Sequence, residues 1–465
     1  MNKLSSYLIL FLLASCSEEK KDSPNVYFAG EIVNPTSGHV VLYKDDIVID
    51  SAQLDKNNRF VFQLDSIDEG LHHFDHSPEL QYIYLEKGDS LLLRLNTVDF
   101  DESLVYSGTG EEINNFLIEM FLANESEEQL IESFYKLKPE DFSRQLDSLR
   151  NIKINSLNDI RSEVELSAQQ LEMARASIDY STFIYKEKYP FYHKKRTREK
   201  SIHEFPADFY SYRKDLNFNS KDLTYFRPYY NFMKYHFGNL SYMSCKKNCG
   251  GNDHMVKNHL HFSQHTMRLI DSLVKQKDLR DNLFRNLAMD YLLKVNDTEK
   301  NNEAFIEQFH KLSGNNKHIN EINELYGGIK NMQPQRELPN VIVYNSEGAK
   351  VSIKEIAKQG NVVFYFWWGT QKGHFRNITK KVAKLSEKHP EYDFVGINLD
   401  TDELRWLSMM EANKLDKSKQ FRSDNTKELR RSLIVDHLNK VIITKDGLIA
   451  DAFANVYTSF HKSDY

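Results

Sequence analysis

Cysteine and histidine crowd one short stretch of this sequence, CKKNCGGNDHMVKNHLHFSQH, which holds Cys245, Cys249, His254, His259, His261 and His265. A zinc site needs thiolates and imidazoles that converge tetrahedrally. The gap between the cysteines fits zinc-finger spacing, whereas the histidine spacings match no standard finger. His261 and His265 are four apart, so on a helix they share a face. The same cysteines can instead close a disulfide or remain free thiols. A redox-active pair is a further alternative, because the two intervening lysines would lower a thiol pKa. Three intervening residues, however, is not the usual catalytic spacing. Metal binding through Cys245, Cys249, His261 and His265, a Cys245–Cys249 disulfide and free thiols all stay open. His72, His73 and His76 in GLHHFDH form a second cluster, read either as metal ligands or as ordinary strand histidines.

A different kind of site is raised by VVFYFWWGTQKGHFRNITKKV, which begins at Val362. It reads as a short buried strand, a turn and then a helix. Trp367 and Trp368 end the strand, and Gln371 and His374 sit where the helix starts. No nucleophile–base pair or carboxylate dyad stands out elsewhere. No cofactor is expected.

The chain that must position these groups has 465 residues, more than one core can use. Hydrophobic residues make up 40% and charged residues 28%, an ordinary globular balance. Aromatic residues reach 12% and suit β-structure and broad packed surfaces. The net charge of -6 excludes a general electrostatic attraction to nucleic acid.

The first segment, MNKLSSYLILFLLASC, has Lys3, an apolar run and then small residues before Cys16. It reads as a secretory signal, too short to span a membrane. LLASC resembles the bacterial lipobox. The resemblance implies cleavage before Cys16 and lipid on its thiol and amine, with membrane attachment through the acyl chains. Residues 1–16 are then leader and lipobox, and residues 17–25 a polar tether. Acidic and lysine-rich residues after the cysteine resemble the surface-export signals of Bacteroidetes lipoproteins. The expected location is the cell envelope, on the outer membrane, facing the periplasm or the cell surface. In such an oxidising compartment the remaining pair, Cys245 and Cys249, tends toward a disulfide.

Residues 26–107 alternate in short apolar runs with turn signals such as Asn57-Asn58 and Lys87-Gly88-Asp89. They predict a small sandwich or barrel. Residues 108–333 carry apolar residues at helical spacing, as in EEINNFLIEMFL and DNLFRNLAMDYLLKV. The aromatic stripe KDLTYFRPYYNFMKYHF reads as core or as a ligand groove, and HKKRTREK as a solvated face or an anionic contact. Residues 334–465 alternate strand and helix and end in a hairpin at Lys445-Asp446-Gly447, an α/β unit with a mixed sheet. The expectation is a multidomain α+β chain.

Three pieces of the last third carry a family resemblance: EGAKVSIKEIAKQGNVVFYFWW, FVGINLDTDELRWL and VIITKDGLI. Together and in this order they resemble a thioredoxin-like domain of the TlpA/ResA type. The β-rich region ending in VYSGTGEEINNFL resembles the amino-terminal domain often joined to such thioredoxins in Bacteroidetes. The resemblance implies a Cys-x-x-Cys at the helix start, whose first thiol is the nucleophile and whose second resolves the mixed disulfide. The sequence departs from that pattern. Gln371 stands at the first cysteine position and His374 at the second, and no cysteine follows Cys249. The family's cis-proline position is taken by Leu438. A cis bond there would cost about 3–4 kcal/mol, so a trans peptide and a reshaped loop are expected.

The alignment also brings His437 toward the turn. Trp367, Trp368, Gln371, His374 and His437 then form a possible binding pocket, against the alternative of a catalytic locus that has drifted. The functional expectation is a redox-inactive, membrane-anchored protein that binds a protein, peptide or small ligand. A thiol-disulfide oxidoreductase using Cys245 and Cys249, and a metal-binding protein using the Cys/His segment, are the alternatives.

Overall fold

The computed structural model describes residues 24–199, 205–244, 256–295 and 297–460. Cys16, Cys245, Cys249 and His254 lie outside the described residues. The chain falls into two compact units, one up to Asn239 and one from Leu240.

The first unit opens with eight strands: β1 (Val26–Val33), β2 (His39–Lys44), β3 (Ile47–Gln53), β4 (Arg59–Leu64), β5 (Gly70–His76), β6 (Glu79–Leu85), β7 (Ser90–Asn96) and β8 (Val105–Thr109). They form two four-stranded sheets, ordered β4-β1-β7-β8 and β3-β2-β5-β6. Alternation buries one face of each strand, as at Phe60, Phe62 and Leu64 in β4. Phe28, Leu42, Phe62, Phe74, Ile83 and Leu93, drawn from both sheets, share one core. Three helices follow, α1 (Glu111–Phe134), α2 (Pro139–Glu163) and α3 (Ala168–Thr197), and a fourth, α4 (Arg227–Ser244), begins in this unit and ends past Asn239. Ser167 and Gln170 cap α3 reciprocally. The basic run begins in its last turn with Lys194, Lys195 and Arg196, where cations complement the helix dipole. Tyr229, Phe232, Met233 and Phe237 of the aromatic stripe are buried core residues.

The second unit continues with α5 (His259–Leu273), α6 (Lys277–Lys294), α7 (Glu299–Ser313) and α8 (Ile319–Asn331). Then come β9 (Ile342–Tyr344), β10 (Lys350–Ser352), α9 (Ile353–Ala357), β11 (Val362–Trp367), α10 (Lys372–Lys388), β12 (Asp393–Asn398) and α11 (Glu403–Ala412). The chain closes with β13 (Gln420–Arg422), α12 (Thr426–Ser432), β14 (Lys440–Lys445) and β15 (Leu448–Asn455). These strands make one seven-stranded sheet, ordered β10-β9-β13-β12-β11-β14-β15. β11 lies inside it, parallel to β12 and antiparallel to β14, and every residue of β11 is buried. That position explains why VVFYFW is continuously apolar rather than alternating. Among the described residues, no helix is long and apolar enough to cross a membrane.

Candidate functional site

The site begins where β11 runs out. Trp367, its last residue, is fully buried and donates from Nε1 to the Gln420 side chain at 3.3 Å. Its ring lies against Phe375 of α10, with centroids 4.7 Å apart. Trp367 is therefore a core residue and not a pocket wall. Trp368 is half-buried, and the Arg430 guanidinium lies 5.5 Å over its ring. The indole nitrogen of Trp368 is buried without a hydrogen-bond partner.

The turn is pinned from the loop after β12. Thr401 Oγ1 accepts from the Gly369 N–H at 3.1 Å and from the Asn398 amide at 2.9 Å. A Cβ at Gly369 would collide with the Thr401 hydroxyl and the Met409 sulfur, so only glycine lets the chain pass this close. Gln371 then occupies the N-cap position of α10. It is exposed, and its side chain makes no cap hydrogen bond.

His374 points its chemistry inward. Both ring nitrogens are buried and form no well-aligned hydrogen bond. Burial pushes its pKa down, while the Leu438 backbone and the Asn439 side chain beside the ring oppose the shift. His374 therefore faces the loop between α12 and β14. The His437–Leu438 peptide is trans. His437 is not part of a second imidazole contact: its side chain is 53% exposed and lies 4.0 Å from Asp436.

That loop has an internal scaffold of its own. Ile434 has φ 51°, a left-handed conformation that is costly for a β-branched residue. Four successive carbonyls are held by two cations. Lys440 Nζ donates to Leu433 at 3.1 Å and to Ile434, while Arg430 donates to Val435 at 3.0 Å and to Asp436 at 3.4 Å. Lys440 is almost completely buried, and its amine lies 4.2 Å over the Phe453 ring. Burial brings its pKa down to about 7, with Asp436 and Asp451 opposing. Arg430 and Lys440 are missing from the sequence reading. One signal was available for Lys440: period-two alternation in β14 puts it on the same face as Ile442 and Thr444.

The described histidines of the two clusters make local contacts. His72 holds the Gly70 carbonyl at 2.9 Å, His73 stacks on Tyr43, and His76 accepts from the Thr36 N–H at 3.1 Å. His261 and His265 share one face of α5 with ring centroids 6.4 Å apart, and His265 Nδ1 lies 3.1 Å from Ser241 Oγ. Among the described residues no His, Cys, Asp and Glu are grouped so as to hold a metal ion.

Comparison with known proteins covers mainly this last third of the chain. Residues 360–449 match a family model described as thioredoxin-like. The solved structures similar to the chain include the thioredoxin domain of a thiol-disulfide oxidoreductase from Bacteroides vulgatus. That match is 20% identical, covers 25% of this chain and 85% of the other, and has a TM-score of 0.21. A thiol:disulfide interchange protein from Bacteroides sp. is 18% identical, covering 26% and 81%, with a TM-score of 0.23. A thioredoxin-like protein from Bacteroides caccae is 12% identical, covering 52% and 86%, with a TM-score of 0.32. No curated protein matches the chain. Over the matched residues 360–449 the carboxy-terminal domain is thioredoxin-like.

Proposed function

We propose that the chain is a lipid-anchored envelope protein whose thioredoxin-like domain binds a protein or peptide segment and performs no dithiol exchange. One observation carries this reading: a buried strand, a turn and a helix follow one another here, with Gln371 and His374 at the helix start where the family resemblance puts the two cysteines. Gln371 has no ionisable nucleophile, and His374 cannot resolve a mixed disulfide. Recognition by backbone pairing and side-chain burial needs no sulfur. Three features support a recognition role: the exposed Gln371, the half-buried Trp368 under Arg430, and the buried ring nitrogens of His374.

The test is a pull-down from native envelopes with the lipidated protein, run beside His374→Ala and Gln371→Arg. A partner retained by the unaltered chain and lost with both substitutions supports binding at the turn. A partner kept by both variants, or none at all, contradicts it.

A further inference from the structure

An exposed apolar run lies far from the thioredoxin-like turn in sequence. Ile47, Val48 and Ile49 of β3 are 68%, 54% and 42% exposed. Among the described residues β3 pairs only with β2, so its other edge offers backbone donors and acceptors. Ile49 is the extra residue of a bulge, because Leu42 pairs with Asp50 and Tyr43 with Val48. Asp45, Asp46 and Asp50 flank the run.

Beside this hairpin the first unit holds a cavity of about 400 Å³. Its apolar lining includes Leu71, Met173 and Leu223, all buried. Asp45, Asp68, Glu69, Glu86, Glu172 and Asp222 bring six carboxylates to it, against the two amines of Lys44 and Lys221. Lys44 is already engaged, donating to the Glu69 and Leu71 carbonyls at 2.9 and 3.1 Å. Glu86 is also engaged, by Ser167 at 2.6 Å and Gln170 at 3.2 Å. Asp68, Glu69, Glu172 and Asp222 are exposed.

We propose that the β2–β3 hairpin and this acidic cavity form one docking surface for an extended polypeptide segment that alternates apolar and basic residues. Charge decides the occupant. A symmetric contact between two copies would set Asp45, Asp46 and Asp50 against their own counterparts, and like charges placed opposite one another destabilise a strand pair. A lysine or arginine side chain fits both parts of the cavity. Its methylene stem lies on the apolar lining and its charged head meets the carboxylates. The alternate residues of the same extended segment then lie on the opposite face beside Val48, with main-chain pairing along the edge of β3.

The test uses the full chain and a short synthetic peptide that alternates valine with lysine, followed by fluorescence anisotropy. A second peptide carries glutamate in place of lysine. The lysine peptide binds saturably and more weakly in added salt. Val48→Asp, at an exposed position, and the double reversal Glu172→Lys with Asp222→Lys each weaken it by about tenfold or more. The double reversal also gains affinity for the glutamate peptide, a result that mere unfolding cannot produce. Absence of saturable binding, equal affinity for both peptides, or indifference to all these substitutions would overturn the proposal. So would concentration-dependent dimerisation of the chain that Val48→Asp abolishes, which would make a second copy the occupant.

Discussion

Poorly paired buried polar atoms are costly, and both ring nitrogens of His374 are buried beside the Leu438 backbone and the Asn439 side chain without a well-aligned hydrogen bond. A histidine held this way at the start of α10 is not a neutral filler. Placing two sulfurs in this turn should not by itself create thiol exchange, because Leu438, and not proline, lies beside His374. Gln371→Cys with His374→Cys is expected to give weak or no insulin reduction, and adding Leu438→Pro to raise it. Robust activity from the double variant by itself would show that only the thiols were lost. Gly369→Ala should destabilise the chain by about 1–3 kcal/mol in urea, through overpacking against Thr401 and Met409. An unchanged midpoint would mean that the turn has room to yield. The strand, turn and helix around Gln371 and His374 were legible in the sequence because a continuous apolar run passes into helical spacing there. The engagement of Trp367 in the core was not, since a tryptophan at a strand end reads equally well as wall or as core.

At the scale of elements, the loop from Leu433 to Asn439 departs furthest from what local sequence conveys. Its left-handed Ile434 and its row of four held carbonyls depend on Arg430 and Lys440, which the fold brings in from α12 and β14. Lys440 makes this loop pH-sensitive. Its folded pKa of about 7 lies below the ordinary 10.5. Between those values the unfolded chain binds more protons than the native one, so this group makes stability rise with pH across that window. Below it the native state bears the cost of burying the ammonium. The other charges facing Lys440 are Asp436 and Asp451, with Arg430 of α12 holding the same loop. Lys440→Met should flatten that rise in urea midpoints, and a slope unchanged by the substitution would assign it elsewhere. The short β13 and α12 escaped the sequence reading because three and seven residues carry too little periodicity to register. The long β11, α10 and the closing hairpin are strongly patterned and were readable.

Over the whole molecule, the order of sheets, helices and a thioredoxin-like sheet follows from changes in hydrophobic period, which a single sequence displays. Pairings between distant strands are less visible. The parallel register of β1 with β7, Phe28 opposite Leu91, closes over a long loop that no local signal announces. Buried charge is equally hidden. Glu187 accepts from Tyr212 at 2.8 Å, from Arg213 Nε at 3.0 Å and from His236 at 2.7 Å, deep among aromatic rings. Burial raises its pKa, but His236 and Arg213 outweigh that and hold it below the usual carboxylate range. Its stabilisation is therefore present above the unfolded pKa and lost as pH falls through the folded one. Glu187→Ala should cost about 3–5 kcal/mol by stranding the Arg213 charge, read from urea midpoints at neutral pH. A loss below 1 kcal/mol would mean that Arg213 finds water. At the chain's other end, Cys16→Ser should move the protein from the membrane to the soluble fraction, and retention on membranes would argue against the acyl anchor.

The central claim is that this thioredoxin-like domain binds without exchanging thiols, and insulin reduction by the full chain tests it most directly. With thiols counted before and after reduction, the expected rate is that of dithiothreitol alone, whether Cys245 and Cys249 are free or alkylated. Catalytic turnover that alkylation of those two cysteines abolishes would contradict the account and place the chemistry outside the sulfur-free turn.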